Sequence, residues 1–192
     1  MARWEPGATQ RLVVAAVDLF TEQSYDATTV AQIADRAGVT RSTFFRHFAD
    51  KREVLVAGQE TLSALLAEGV AEAPAGSTPL EAVAAGLRRA SDAMGPANRE
   101  LGPRLKAAVA ASTELQERDA LKSVGLAAAM TDALVARGVA DPTAHLAAEL
   151  GVLAFKRGYA VWSEGERAPE DGLAPYALAA LDELRAASAS LG

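Results

Sequence analysis

The chain has 192 residues, enough for one compact domain or for a small domain joined to a larger one. Half of it is hydrophobic but only 5% is aromatic, because alanine dominates the apolar total; this favours helix over strand and excludes a mainly β fold and a disordered chain. The net charge of −6 argues against a surface coated in basic charge, yet Arg36, Arg41, Arg46, Lys51 and Arg52 face only Asp50 across seventeen residues, a local +4 that leaves −10 for the remainder.

A first helix is expected from Thr9 to Gln23, with Leu12, Ala16, Leu19 and Phe20 at helical spacing, ended by Ser24 and Tyr25. Thr28 and Thr29 then cap a short helix carrying Val30, Ile33, Ala34 and Ala37, which Gly38 terminates. Thr40 or Ser42 opens a third helix through Phe48, and a longer fourth runs from Lys51 to Glu72. Pro74, Gly76, Ser77 and Pro79 form a linker, and Thr78-Pro79-Leu80-Glu81 is a complete helix start. Helices follow from Pro79 to Ala93, from Asn98 to Ala111 with Pro103 inside, from Thr113 to Arg137, from Asp141 to Glu164, and from Pro175 to Ser188 beyond a polar loop at Gly165 to Gly172.

Without cysteine there are no disulfides, thiolate nucleophiles or zinc-cysteine sites, which fits a reducing compartment. Met1 to Gln10 lacks the apolar stretch of a signal peptide, and Leu12 to Phe20 is broken by Asp18, far short of the roughly 18 apolar residues of a membrane span. A cytoplasmic location and no membrane partner are expected. His47 and His145 are the two histidines, and no glycine-rich phosphate loop, metal cluster or Ser-His-Asp arrangement accompanies them, so neither an enzyme nor a cofactor or metal site is expected.

The succession of helix, glycine turn and basic helix is the helix-turn-helix arrangement, whose second helix enters the major groove. Phe44 and Phe48, four residues apart, anchor that helix inward, while Arg41, Ser42, Thr43, Arg46 and His47 offer donors to base edges and phosphates and Lys51 reaches an adjacent phosphate. Arg3 is either a minor-groove arm or a plain terminus.

Thr28-Thr29-Val30, Ile33-Ala34, Ala37-Gly38-Val39 and Thr43-Phe44-Phe45-Arg46-His47-Phe48, followed by Lys51, closely resemble the DNA-binding domain of TetR-family transcriptional regulators over residues 9 to 56. The spacing from Trp4 through Phe44-Phe45 and the alanine-rich remainder resemble the actinobacterial subgroup with an acyl-CoA-like ligand-binding C-terminal domain. The resemblance implies an all-α homodimer of about nine helices per subunit. Residues 1–56 would form a helix-turn-helix domain, and 57–192 a helical bundle for effector binding and dimerisation. Double-stranded palindromic DNA would be the partner, released by a small effector. It places phosphate contacts on Thr29, Thr43, His47 and Lys51 and base contacts on Arg41 and Ser42. Two positions depart from the family. Phe45 stands where many members have a phosphate-bonding tyrosine, and Ser24 stands where many have glycine.

In the C-terminal part, Ala147, Gly151, Ala154 and Gly158 form a stripe of small residues, matched by Ala177, Leu181 and Leu184 on the last helix; the family pattern assigns both to the dimer interface, although an intramolecular core explains the same spacing. Met94, Met130, Phe155, Tyr159 and Trp162 are candidate contacts for an apolar or aromatic effector, with Arg104 available to an anionic head. The reading is a ligand-responsive repressor; the alternative is a helical interaction or scaffold protein without operator specificity.

Overall fold

The computed structural model describes residues 7–165 and 172–191, so Arg3 and the greater part of the Gly165 to Gly172 loop lie outside the described residues. Among the described residues there are nine α-helices and no strand: α1 Ala8–Gln23, α2 Val30–Arg36, α3 Arg41–His47, α4 Gln59–Ala71, α5 Pro79–Asp92, α6 Pro96–Ala110, α7 Thr113–Ala136, α8 Asp141–Glu164 and α9 Ala174–Ala189. The fourth helix differs from the expectation. It begins as a 3-10 turn, Lys51–Val56, and Gly58 at φ +75° breaks it before α4. By length and composition Lys51–Ala71 is apolar enough to cross a membrane. That break divides it, and the apolar residues of α4, Leu62, Leu66 and Val70, are buried in a protein core.

The chain divides into two units, Met1–Ala57 with Arg104–Leu121 and Gly58–Pro103 with Lys122–Gly192. A contiguous division at 56/57 misses the return of 104–121 to the N-terminal unit. There Ala108 and Leu115 join Leu12, Ile33, Phe44 and Leu55 in one core, while Arg104 pairs with Asp18 and Arg118 with Glu53. Two seven-residue helices cannot hold themselves, so this shared core and their caps stabilise α2 and α3.

α1 ends at Ser24, the one non-glycine residue with positive φ among those described, at φ 76° and ψ 159°. Such a backbone is reserved for glycine and costs a side-chain-bearing residue about 1 to 3 kcal/mol. What Ser24 gains is small: its Oγ accepts from the Ala27 N–H at 3.4 Å. Ser24→Gly is therefore expected to stabilise the N-terminal unit by about 1 kcal/mol, read as a higher urea midpoint. An unchanged or lower midpoint would remove strain as the account of this turn.

In the C-terminal unit, helices approach through glycines. A Cβ on Gly69 of α4 would lie 2.6 Å from the Gly86 Cα of α5, and one on Gly158 of α8 would lie 2.5 Å from the Ala177 Cα of α9. Gly151 faces Val83 and Met130. This corrects the assignment of Ala147, Gly151, Ala154, Gly158, Ala177 and Leu181 to a dimer interface: all six are buried within the protomer, and Leu184 is partly buried against the same core. Small residues face inward because α5, α7 and α9 come close there. Two leucines of α8 turn outward instead, Leu146 and Leu153 being 60% and 46% exposed.

Candidate nucleic-acid interface

The site is built on α2, the glycine turn and α3. Thr29 caps α2 in a capping box: its Oγ accepts from the Gln32 N–H at 3.3 Å, and the Gln32 Oε1 accepts from the Thr29 N–H at 2.9 Å. The glutamine at the third position was a legible signal that the sequence reading passed over. Gly38, at φ +66°, ends α2 with a reversed turn in which the Val39 N–H donates to the Ala34 carbonyl at 2.9 Å. Thr40 then caps α3, its Oγ accepting from the Thr43 N–H at 3.1 Å.

This geometry fixes the faces of α3. Phe44 and Phe48 are buried with ring centroids 5.5 Å apart, and Arg41, Ser42, Phe45, Arg46 and His47 are exposed. Thr43 is half-buried, its Oγ sharing a hydrogen bond with Thr40 and accepting from Arg46 at 3.2 Å. The Nδ1 of His47 and the Thr9 hydroxyl share a hydrogen bond of 3.1 Å, which ties the end of α3 to the start of α1. Arg11 reinforces the tie by donating to the Ala37 carbonyl at 3.2 Å.

The five basic residues of the segment are not equivalent. Arg36 is bidentate to Glu22 at 3.0 and 2.8 Å, and Arg52 donates from Nε and Nη2 to the single Oδ2 of Asp50 at 3.1 and 2.7 Å. The Arg52 guanidinium holds the Asp50 carboxyl below the usual carboxylate range, so that it remains a charged cap on the 3-10 turn. Lys51 departs from its expected place as a phosphate contact. Its Nζ donates to the Tyr25 carbonyl at 2.6 Å and the Thr28 carbonyl at 2.9 Å, and lies 3.9 Å from the centre of the Tyr25 ring. Tyr25 was not singled out in the sequence. It is buried, and burial together with a hydrogen bond to Glu114 pushes its hydroxyl pKa up. Lys51 thus braces the loop that delivers Thr29. Arg41 makes no hydrogen bond or ion pair among the described residues, and the Arg46 guanidinium spans only one turn to Thr43, so these two cations are the ones the segment presents outward.

The residues expected to meet an effector do not form one group. Arg104 belongs to the N-terminal unit, where it pairs with Asp18. In the C-terminal unit Met130, Phe155 and Trp162 are buried core residues, with Met94 and Tyr159 partly buried against them. The Tyr159 ring lies 6.3 Å from Phe155 and 5.8 Å from Trp162, and its hydroxyl, pushed up to about 12 by burial, donates to the Asn98 carbonyl at 2.5 Å. Trp162 Nε1 and Ser91 Oγ are buried without a hydrogen-bond partner.

Residues 12–57 match the family described as bacterial regulatory proteins, tetR family. Over 91 residues the chain is 37% identical to the HTH-type transcriptional regulator TcmR of Streptomyces glaucescens, covering 43% of this chain and 40% of that one. The chain thus spans less than half the length of that relative. A solved structure assigned to the TetR family from Syntrophomonas wolfei superposes with a TM-score of 0.63 at 17% identity, over 92% of this chain and 94% of the other. The transcriptional regulator FadR from Bacillus subtilis, solved in complex with stearoyl-CoA, gives 0.57 at 16% identity, over 90% and 95%. At such identities the two structures carry the fold.

Proposed function

We propose that this chain, whose residues 12–57 match the tetR family of bacterial regulatory proteins, is a ligand-responsive repressor that binds a palindromic operator as a homodimer in the cytoplasm and leaves it when a small effector binds. The observation that carries the reading is the outward face of α3. A helix of seven residues held from below by Phe44 and Phe48 presents Arg41, Ser42, Phe45, Arg46 and His47 to solvent on a scaffold capped at both helix starts. Arg41 and Ser42 meet base edges. Thr29, Thr43, Arg46 and His47 meet phosphates on either side. A scaffold protein has no use for an unpaired arginine on a rigid, groove-sized helix. The test is footprinting of the full chain on the DNA flanking its own gene: an inverted repeat read in successive major grooves, with affinity falling steeply as salt rises, is expected. A footprint without two-fold symmetry would overturn the reading.

The dimer is supported by the exposed leucines. Leu146, Leu153 and the half-buried Leu150 follow one face of α8, and Val124 of α7, 62% exposed, belongs to the same unit. A contiguous apolar face of this kind is covered in a soluble protein, and a two-fold operator calls for a two-fold protein. Leu146→Arg with Leu153→Arg is expected to give a folded monomer in sedimentation. A persistent dimer would move the interface elsewhere.

For the effector, Met94, Phe155, Tyr159 and Trp162 favour an apolar or aromatic molecule. A buried indole N–H without a partner costs about 1 to 3 kcal/mol, which a carbonyl or ether oxygen on the effector would recover.

A further inference from the structure

Phe45 is 52% exposed, the one aromatic among the large hydrophobic side chains exposed in the described residues. Its ring packs edge-on against the fully buried Phe44, with centroids 5.5 Å apart and planes at 84°. Around it on the helix surface stand Arg41 four residues before, Ser42 three before, and Arg46. A ring of carbon and hydrogen has nothing to offer a phosphate. In the major groove the one apolar group on the base edges is the C5-methyl of thymine.

We infer that Phe45 is a specificity-determining residue that packs on the methyl group of a thymine, next to the guanine that Arg41 contacts. Residues four apart on a helix lie about 5 to 6 Å from each other, and base pairs rise about 3.4 Å, so the two bases fall within roughly two base pairs. The departure from the family's tyrosine then has a purpose. A phosphate bond that reads no sequence is exchanged for a contact that reads one base. The inference rests on the DNA-binding reading above, and on Phe45 facing the groove as Arg41 does.

The experiment takes an operator selected by the full chain from a random duplex pool. Each thymine of one half-site is replaced in turn by deoxyuridine, which deletes only the methyl, and the duplexes are titrated at fixed salt with wild type and Phe45→Ala. At one thymine position the wild type is expected to lose about fourfold, the worth of one buried methyl. Phe45→Ala, weaker throughout, is expected to be indifferent to that replacement. The wild-type arm stands even if the variant folds poorly. Wild type indifferent to deoxyuridine at every position, on an operator it binds selectively, overturns this inference alone. An equal loss at the same position in Phe45→Ala also overturns it. If no duplex is selected over the pool, the DNA-binding reading fails and takes the inference with it.

Discussion

Replacing Arg41 with alanine is expected to weaken operator binding roughly a thousandfold while nonspecific duplex stays within about tenfold of wild type. An arginine bidentate to guanine O6 and N7 discriminates against the wrong base by about 1 to 3 kcal/mol, and a dimer has two such contacts, so about 2 kcal/mol at each gives roughly three decades. Nonspecific DNA feels only one lost charge per protomer. The geometry supports so large a share for Arg41, since it is exposed on α3 and carries no ion pair among the described residues. Titration of both DNAs with wild type and Arg41→Ala checks it, and a parallel fall on both would assign Arg41 to the phosphates.

Lys51 differs in kind. Lys51→Met would leave the carbonyls of Tyr25 and Thr28 without their charged donor and remove the contact with the Tyr25 ring, at about 2 to 3 kcal/mol of stability in the N-terminal unit. Its effect on DNA would pass through the placement of Thr29, weakening all sequences alike.

The elements that the sequence made legible are those marked by local chemistry. Thr29 with Gln32, Thr40 with Thr43, and Thr78 with Glu81 each announce a helix start, and Gly38 and Gly138, with φ of +66° and +88°, each announce an end. The outward face of α3 was legible for the same reason, because phenylalanines four apart define an inward face and leave the arginines outside. What required the structure was tertiary. The return of 104–121 depends on Ala108 and Leu115 meeting a core assembled from α1 to α3, and no local pattern encodes that. The place of Lys51 depends on carbonyls 26 and 23 residues away. On α8 two apolar lines run one residue out of phase, Leu146, Leu150 and Leu153 against Ala147, Gly151, Ala154 and Gly158. With 3.6 residues per turn they lie about 100° apart, and periodicity alone does not say which faces inward. Buried-surface reasoning favours leucine inside. The reverse holds here, because α9 reaches the backbone at Gly158, and Val83 and Met130 fill the space at Gly151, leaving room only for glycine and alanine on that line.

That closeness gives the second large expectation. Gly158→Ala should destabilise the C-terminal unit by about 2 kcal/mol or more, whereas Gly151→Ala, about two turns earlier on the same stripe, should cost less. Both changes gain helix propensity, worth about 0.5 to 1 kcal/mol for alanine over glycine in a helix interior. They differ in what the new Cβ meets. At Gly151 it meets the Cγ1 of Val83, a fully buried and χ1-stiff side chain, at 2.6 Å, and the flexible end of Met130 at 3.3 Å, so that side chains must shift but no helix backbone stands in the way. At Gly158 it meets the Ala177 Cα and N at 2.5 Å and the Tyr176 carbonyl carbon at 2.8 Å, so that α9 itself must move. Overpacking against backbone costs about 1 to 3 kcal/mol or more, which exceeds the propensity gain; against side chains, which shift without moving a helix, the propensity gain offsets a larger share of the cost. Urea unfolding of the full chain, followed by the fluorescence of the buried Trp162 one turn beyond Gly158, reads the difference directly. The expected result is a clearly lower midpoint for Gly158→Ala with Gly151→Ala between it and wild type, and oligomeric state following stability. If Gly158→Ala were as stable as wild type yet monomeric, the stripe would have to be returned to the subunit interface and the outward leucines of α8 would lose that role.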